Sequence, residues 1–378
     1  MNPSDLFQKL QDQYVNNFPF VAYRNPNESI IKTFLQQDDT LYKTTNFSES
    51  GYIFSPFNIE ETSVLIPVEK SLILEFESET IEESSINSCA SEVIEISDIT
   101  VVKQNHIALV EKGIKAIHKG TFEKVVLSRQ ESVTISETNP VKIYKKLLET
   151  YPAAYVYVWF HPKVGLWLGA TPETLLHVEN KQFSTMALAG TQVYKNTTEV
   201  VWEEKELEEQ QIVTNFIVSN LENQIQDLKV SEVETVRAGN LVHLKTHISG
   251  RVNSNPSSLK NILKKLHPTP AVCGMPKEEA KQFILENEPY KRDFYTGFLG
   301  ELNIKKSISR NPNRRNVENN AYTRIKTVSN LFVNLRCMQI QNTEARLYIG
   351  GGITKDSNPN LEWEETIAKS VTMKKVLQ

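Results

Sequence analysis

Two rhythms of apolar residues alternate along the chain. Apolar positions three and four apart mark helices, and period-two alternation or short apolar runs between polar turns mark strands. Leu6, Phe7, Leu10 and Tyr14 form a helical stripe behind Ser4, a residue suited to capping. Short strand-like segments follow: PFVAYR, TLYKTT, GYIFSPF, SVLIPV and SLILEF. Helical spacing returns at Ile107, Val110, Ile114 and Ile117, predicting a helix over about 102–119 that Gly120 ends. EKVVLSRQESVTI reads as a strand, 141–150 as a short helix, and AAYVYVWF, GLWLGATPETLLHV and QFSTMALAGTQ as further strands. A long helix is predicted over about 198–228, with shorter ones at 257–266 and 277–287, and YTGFLGELNI as a strand. Strands this close, joined by polar turns, predict antiparallel sheet rather than βαβ units. The last stretch, 332–370, reads as strand, turn, strand, a Gly350-Gly351-Gly352 loop and a helix after Pro359-Asn360. Its first strand sets Phe332, Asn334, Arg336 and Met338 on one face. No internal repeat is present.

Length and composition narrow the class. The 378 residues suffice for one large core or two domains, and 39% hydrophobic with 23% charged residues is ordinary for a globular protein. A net charge of −4 gives no reason to expect a nucleic-acid partner. Cys89, Cys273 and Cys337 form no CxxC pair, which fits a reducing compartment. No secretory h-region and no membrane-length apolar run is seen, so a soluble cytoplasmic protein without membrane contact is expected. The Glu- and Ser-rich stretch 78–93 is predicted to be a mobile loop. The polar, basic stretch 305–326 is predicted to be an exposed hairpin. It has no aromatic stacking pattern, so a solvated loop is favoured over a nucleic-acid surface.

Candidate chemistry gathers on two helices and a few strand ends. Glu362, Glu365 and Lys369 fall at i, i+3 and i+7, and their stripe continues into Met373 and Val376. That face therefore points inward, where two carboxylates and an ammonium are costly without compensation. Six acids lie between 199 and 209. Glu209 stands three, four and seven residues before Ile212, Val213 and Phe216, on their apolar face, whereas Glu208 lies off it. For Glu209 alone, a buried salt bridge explains as much as a metal does. Together with Glu362 and Glu365 it makes a carboxylate-only cation site plausible, and oxygen ligation without His or Cys suits Mg2+. Lys124 heads the run Val125-Val126-Leu127; a snorkelling lysine is the simpler account, a general base the other. Glu173 follows Pro172 at a strand end and reads as a turn residue or a general acid. His267 opens the rigid loop HPTPAVCG. Arg336 between apolar residues needs an anion, from the protein or from a substrate. The glycine triplet lacks GxxxxGK[ST], so close backbone approach to a ligand is the better functional reading.

Taken together, KVVLSR (124–129), GATPETLL (169–176), LAGT (188–191), LHPTPAVCGMP (266–276), the Arg336-Cys337 pair and GGGI followed by EWEET and Lys369 resemble the chorismate-utilising enzymes. Among these the chain resembles the isochorismate synthases. The resemblance runs from about 102 to the C-terminus, with GYIFSPF a fainter echo. It implies an α/β fold: a single-domain sandwich of two large antiparallel sheets flanked by helices, as in anthranilate synthase component I. Residues 1–378 would form one domain, with a variable part over 1–100 and the motif-bearing core over 102–378. It also implies an isomerase that adds water at C2 of chorismate and expels the C4 hydroxyl. Lys124 would be the base and Glu173 the acid. Glu209 and Glu365 would hold Mg2+ with Glu362 nearby, Arg336 would pair with the pyruvyl carboxylate, and Gly190, Gly350 and Lys369 would bind substrate. His267 would lie in a loop lining the site. Gln210 stands where relatives often carry a histidine. Lysine at 124 points to water rather than ammonia as nucleophile, hence to a monomer without an amidotransferase subunit, serving menaquinone or siderophore synthesis. Salicylate synthase, which goes on to eliminate pyruvate, and a non-catalytic binding protein on the same fold are the rival readings.

Overall fold

The computed structural model describes the chain apart from residues 1–2, 78–93, 96–98, 195–196, 198–199, 239–240, 254–257 and 309–323. The expected mobile loop at 78–93 and the centre of the expected basic hairpin thus lie outside the described residues. The hairpin's arms pair as far as Ile308 with Arg324.

Among the described residues the strands form two ten-stranded sheets, and every pairing is antiparallel. The first sheet runs Gly274–Met275, Lys124–Thr134, Glu344–Ile353, Cys337–Gln341, Gly165–Thr171, Tyr155–His161, Phe20–Arg24, Ile30–Gln36, Ser71–Glu77, with Ile94–Glu95 as a tenth strand beside Lys124–Thr134. The second runs Ile225–Val230, Leu241–Val252, Gln182–Val193, Thr174–Glu179, Arg324–Val333, Phe298–Ile308, Gly51–Ser55, Ser63–Pro67, Tyr42–Thr44, with Glu234–Ala238 as a tenth strand beside Leu241–Val252. The N-terminal strands therefore extend both sheets instead of standing apart.

Alternation decides what each sheet face meets. Between the sheets lies an aromatic layer that includes Tyr23, Tyr52, Phe54, Tyr157, Trp159 and Trp167. On the outer face of the first sheet, Val156, Val158 and Leu168 pack against Leu6, Leu147 and Met373 from three helices. On the outer face of the second, Phe183, Ala187 and Ile248 pack against Val213, Phe216 and Ile262. Each such large apolar side chain contributes about 2 kcal/mol by leaving water. No helix among the described residues is long and apolar enough to cross a membrane.

Local signals set the helix ends near the site. Asn358 accepts from the Asn360 and Leu361 amides at 3.0 and 3.3 Å, and Pro359 starts the helix Pro359–Leu377. The long helix spans Glu204–Leu221, shorter than periodicity predicts. The Glu206 carboxylate accepts from the Glu203 amide at 3.0 Å and fixes its start. At its far end the chain turns into Ile225–Val230, which pairs with Leu241–Val252, so sheet pairing overrides the helical pattern.

Candidate active site

Two passages between the sheets build the site. The chain leaves the first sheet at Thr171 and enters the second at Thr174, which leaves Glu173 in the gap. It leaves the second sheet at Val333 and re-enters the first at Cys337, carrying Arg336 through the same gap. The passages are stitched together: the Val333 amide donates to Glu173 O and the Ala170 amide to Arg336 O, each at 3.0 Å. Asn334 pins the second passage, accepting from Tyr157 Oη at 2.6 Å and donating to Phe294 O at 2.9 Å. Arg336 adopts φ 46°, so it is a turn residue and not part of a continuous strand over 332–338. A change of sheet needs a sharp redirection that residue alternation does not reveal.

The passages border a cavity of about 110 Å³ whose wall includes Lys124, Glu173, Glu209, Arg336, Glu365 and Lys369. Lys124 opens its strand and is buried. Val126 shares its face and also lines the cavity, while Val125 and Leu127 pack outward with Val110 of the helix Ile99–His118. Three ion pairs cross the region: Lys124 Nζ to Glu209 Oε1 at 3.4 Å, Lys205 Nζ to Glu362 Oε1 at 3.0 Å, and Lys369 Nζ to Glu365 Oε1 at 2.5 Å. Lys369 also donates to Gly350 O at 3.0 Å.

The glycine triplet is not a loop. Gly350, Gly351 and Gly352 pair with Ser128, Leu127 and Val126 inside the strand Glu344–Ile353. The absence of side chains there is required by space. A Cβ on Gly352 would stand 2.8 Å from Glu209 Oε1 and 3.0 Å from Lys124 Cε, and one on Gly350 would stand 2.8 Å from Tyr295 Oη. Close approach, expected of a ligand, is here made first by the protein's own charged groups.

Burial sets the proton inventory. It pushes the Glu173 carboxyl up to about 8, with Arg336 and Lys124 opposing, so this acid holds its proton at neutral pH. Burial also lowers the Arg336 guanidinium from its ordinary value, against nearby Tyr295 and Glu365. For Glu365, burial works upward, but the Lys369 ion pair with Lys205 and Arg336 carries the carboxyl below its usual range. Burial raises Glu362, with Lys205 opposing.

Most of the candidates meet in this cavity. Gly190 and Gly350 line it with the six charged groups named above. Glu362 lies just behind, joined through Lys205, while Glu208 is exposed. His267 does not line the cavity. It is buried, with Nε2 3.0 Å from Phe57 O and its ring edge-on to Phe298. Desolvation brings its pKa down to about 3, so a neutral ring braces the fold. The rigid HPTPAVCG loop instead presents Ala271 and Val272 to the cavity.

Polar wall residues that the sequence pattern does not single out include His243 and Lys205. His243 Nδ1 lies 2.9 Å from Gly190 O and can only donate there, which leaves Nε2 as an acceptor; that atom is buried without a partner. Burial and Arg336 bring its pKa down to about 3. An inward histidine between Val242 and Leu244 on a strand, and a lysine one helical turn before Glu209, were the available signals.

The donor set fits Mg2+. Glu362 Oε2 is buried without a hydrogen-bond partner, and a Cβ on Gly351 would meet it at 3.5 Å and Glu365 Oε1 at 3.8 Å. Two carboxylates from adjacent helical turns thus converge above bare backbone. Among the described residues no three His, Cys, Asp or Glu groups form a ready-made cage. Mg2+ asks for less, since it takes one or two carboxylates and keeps waters or substrate oxygens for the rest.

Solved structures share the fold. The putative 2,3-dihydroxybenzoate-specific isochorismate synthase DhbC from Bacillus anthracis superposes with a TM-score of 0.75 at 24% identity, covering 98% of this chain and 99% of that one. Menaquinone-specific isochorismate synthase MenF from Escherichia coli gives 0.76 at 22%, covering 100% and 92%. Anthranilate synthase component I from Streptococcus pneumoniae gives 0.62 at 20%, covering 94% and 92%. In sequence, isochorismate synthase EntC of Escherichia coli (strain K12) is 30% identical over 265 residues, 66% of this chain and 61% of that protein. MenF of the same organism is 28% identical over 280 residues, 71% of this chain and 59% of that protein. The chain thus spans about three-fifths of the length of these relatives. A family model described as chorismate binding enzyme matches residues 13–308 and 322–378. The fold, the cavity lined by charged groups of both signs and that match over nearly the whole length place the chain in the chorismate-binding enzyme family.

Proposed function

We propose that the chain is an isochorismate synthase, an Mg2+-dependent isomerase that converts chorismate to isochorismate. The observation that carries this reading is that Lys124 and a buried, protonated Glu173 share the wall of one cavity. Chorismate is a dianion, and Arg336 and Lys369 supply matching positive charge on the cavity wall. In its amine form, Lys124 takes a proton from water as the water oxygen bonds to ring C2. The ring double bonds shift, the C4–O bond breaks, and Glu173 protonates the departing hydroxyl, so one water enters and one leaves. Arg336 binds the pyruvyl carboxylate, and Lys369, Gly190 and Gly350 position the ring. The bare Nε2 of His243 suits a hydroxyl donor, the one kind of donor that chorismate carries. Glu209 and Glu365, with Glu362 beside them, would hold Mg2+, whose positive charge would screen the ring carboxylate.

On this reading residues 1–378 are one enzyme domain, acting in the cytoplasm as a monomer without an amidotransferase subunit, for menaquinone or siderophore synthesis. The test is incubation with chorismate and Mg2+ followed by product separation. Isochorismate without pyruvate is expected. Salicylate with pyruvate would identify a salicylate synthase, and no turnover would point to a binding protein on this fold.

A further inference from the structure

Lys205 is placed against the usual electrostatics of helices. It is the second residue of Glu204–Leu221, where the macrodipole disfavours a cation. What holds it is charge from elsewhere. Its Nζ donates to Glu362 Oε1 at 3.0 Å, and the carboxylates of Glu209 and Glu365 also act on it. These are the carboxylates assigned to the metal. Ser357 Oγ donates to the same Glu362 oxygen at 2.6 Å, which leaves Oε2 buried and unpartnered beside Glu365. The three lysines of the cluster differ in freedom. The side chains of Lys124 and Lys369 are 3% and 10% exposed, whereas that of Lys205 is 39% exposed, on a long flexible stem at a helix end.

We propose that Lys205 is a tethered cation: its ammonium pairs with the Glu362 carboxylate beside Glu365 and Glu209 when no divalent ion is bound, and swings to solvent when Mg2+ takes its place. The inference rests on the assignment of these carboxylates to Mg2+. A compact divalent ion gains more from the converging oxygens than a single ammonium does, and the displaced lysine recovers its hydration. Lys205 therefore weakens apparent metal affinity while protecting the carboxylates of the metal-free protein from mutual repulsion.

The test measures Mg2+ affinity by calorimetry and by competition with Mn2+ in electron paramagnetic resonance. It uses the full chain, alone and with an equilibrated chorismate–isochorismate mixture. Lys205→Met and Lys205→Gln should bind Mg2+ about twofold to fivefold more tightly than the parent, the size expected for removal of one part-exposed ion pair. Lys205→Arg, which keeps the charge, should bind no more tightly than the parent. In EDTA, Lys205→Met should melt below the parent, and added Mg2+ should raise its Tm by more than it raises the parent's. Parent binding with unchanged or weaker affinity in both neutral variants would overturn the tethered cation and leave the metal site standing. Absence of Mg2+ binding in the parent under both conditions would remove the metal assignment and this inference together.

Discussion

Replacing Glu173 by glutamine should stabilise the protein while stopping its chemistry. Glu173 is 4% exposed, and burial lifts its carboxyl from the ordinary 4.5 to about 8. In the unfolded chain the group loses its proton near 4.5, whereas the folded protein keeps it to about 8. Between those values the folded state binds more protons, so stability falls as pH rises, and the loss is complete above the folded value. At 1.36 kcal/mol per unit, the difference at pH 7 is about 3 kcal/mol, rising to about 5 kcal/mol above pH 8. Glutamine preserves the shape of the neutral acid and has no charge to bury. With an unfolding entropy of about 2.1 cal/mol/K per residue, 3 kcal/mol in a chain of 378 residues corresponds to about 4 °C in Tm. Melting curves of parent and Glu173→Gln from pH 4 to 9 should coincide at the acid end and separate progressively above pH 5. Isochorismate formation should fall roughly a thousandfold, the scale of one general acid. In the parent, kcat/KM should decline on the basic side near pH 8. A Tm difference that does not change with pH, or a variant less stable than the parent at pH 8, would refute the buried-proton argument.

Three further outcomes are expected. Lys124→Ala should abolish water addition, read as isochorismate formation, while chorismate and Mg2+ binding stay measurable by calorimetry; retained turnover would remove Lys124 as base. EDTA should stop the reaction and excess Mg2+ should restore it, and rates indifferent to chelation would exclude the carboxylates as a working metal site. Gly352→Ala would drive a methyl to 2.8 Å from Glu209 Oε1 and 3.0 Å from Lys124 Cε, so about 1–3 kcal/mol of stability and most activity should be lost together in thermal melts and product assays. Unimpaired turnover there would mean that these two side chains need not hold their observed places.

Part of the site could be read from periodicity because Glu209, Glu362, Glu365 and Lys369 sit on helices whose apolar faces reveal their direction. The wheel that set Glu209 with Val213 and Phe216 and left Glu208 off the face agrees with the observed burial of the two apolar residues and exposure of Glu208. The inward stripe from Glu362 to Val376 is likewise buried at Glu362, Lys369, Met373 and Val376. Antiparallel pairing followed from short strands and polar turns. Motif resemblance, not periodicity, brought Glu173, Arg336 and the glycines into one site.

Tertiary contacts decided the rest. Alternation says which face of a segment is apolar but not which strand it pairs with. It therefore could not show that the chain changes sheets at Glu173 and again at Arg336, or that Gly350 to Gly352 lie within a strand crowded by Lys124 and Glu209. The buried fate of His267 depended on Pro56 and Phe57, about two hundred residues earlier, and the cavity place of His243 on the carbonyl of Gly190. The chain by itself determined which side chains would turn inward, since that follows from local period and the cost of exposing apolar surface. Only the fold decided which of them meet, because ion pairs, desolvation and close backbone approach are made between segments far apart in sequence.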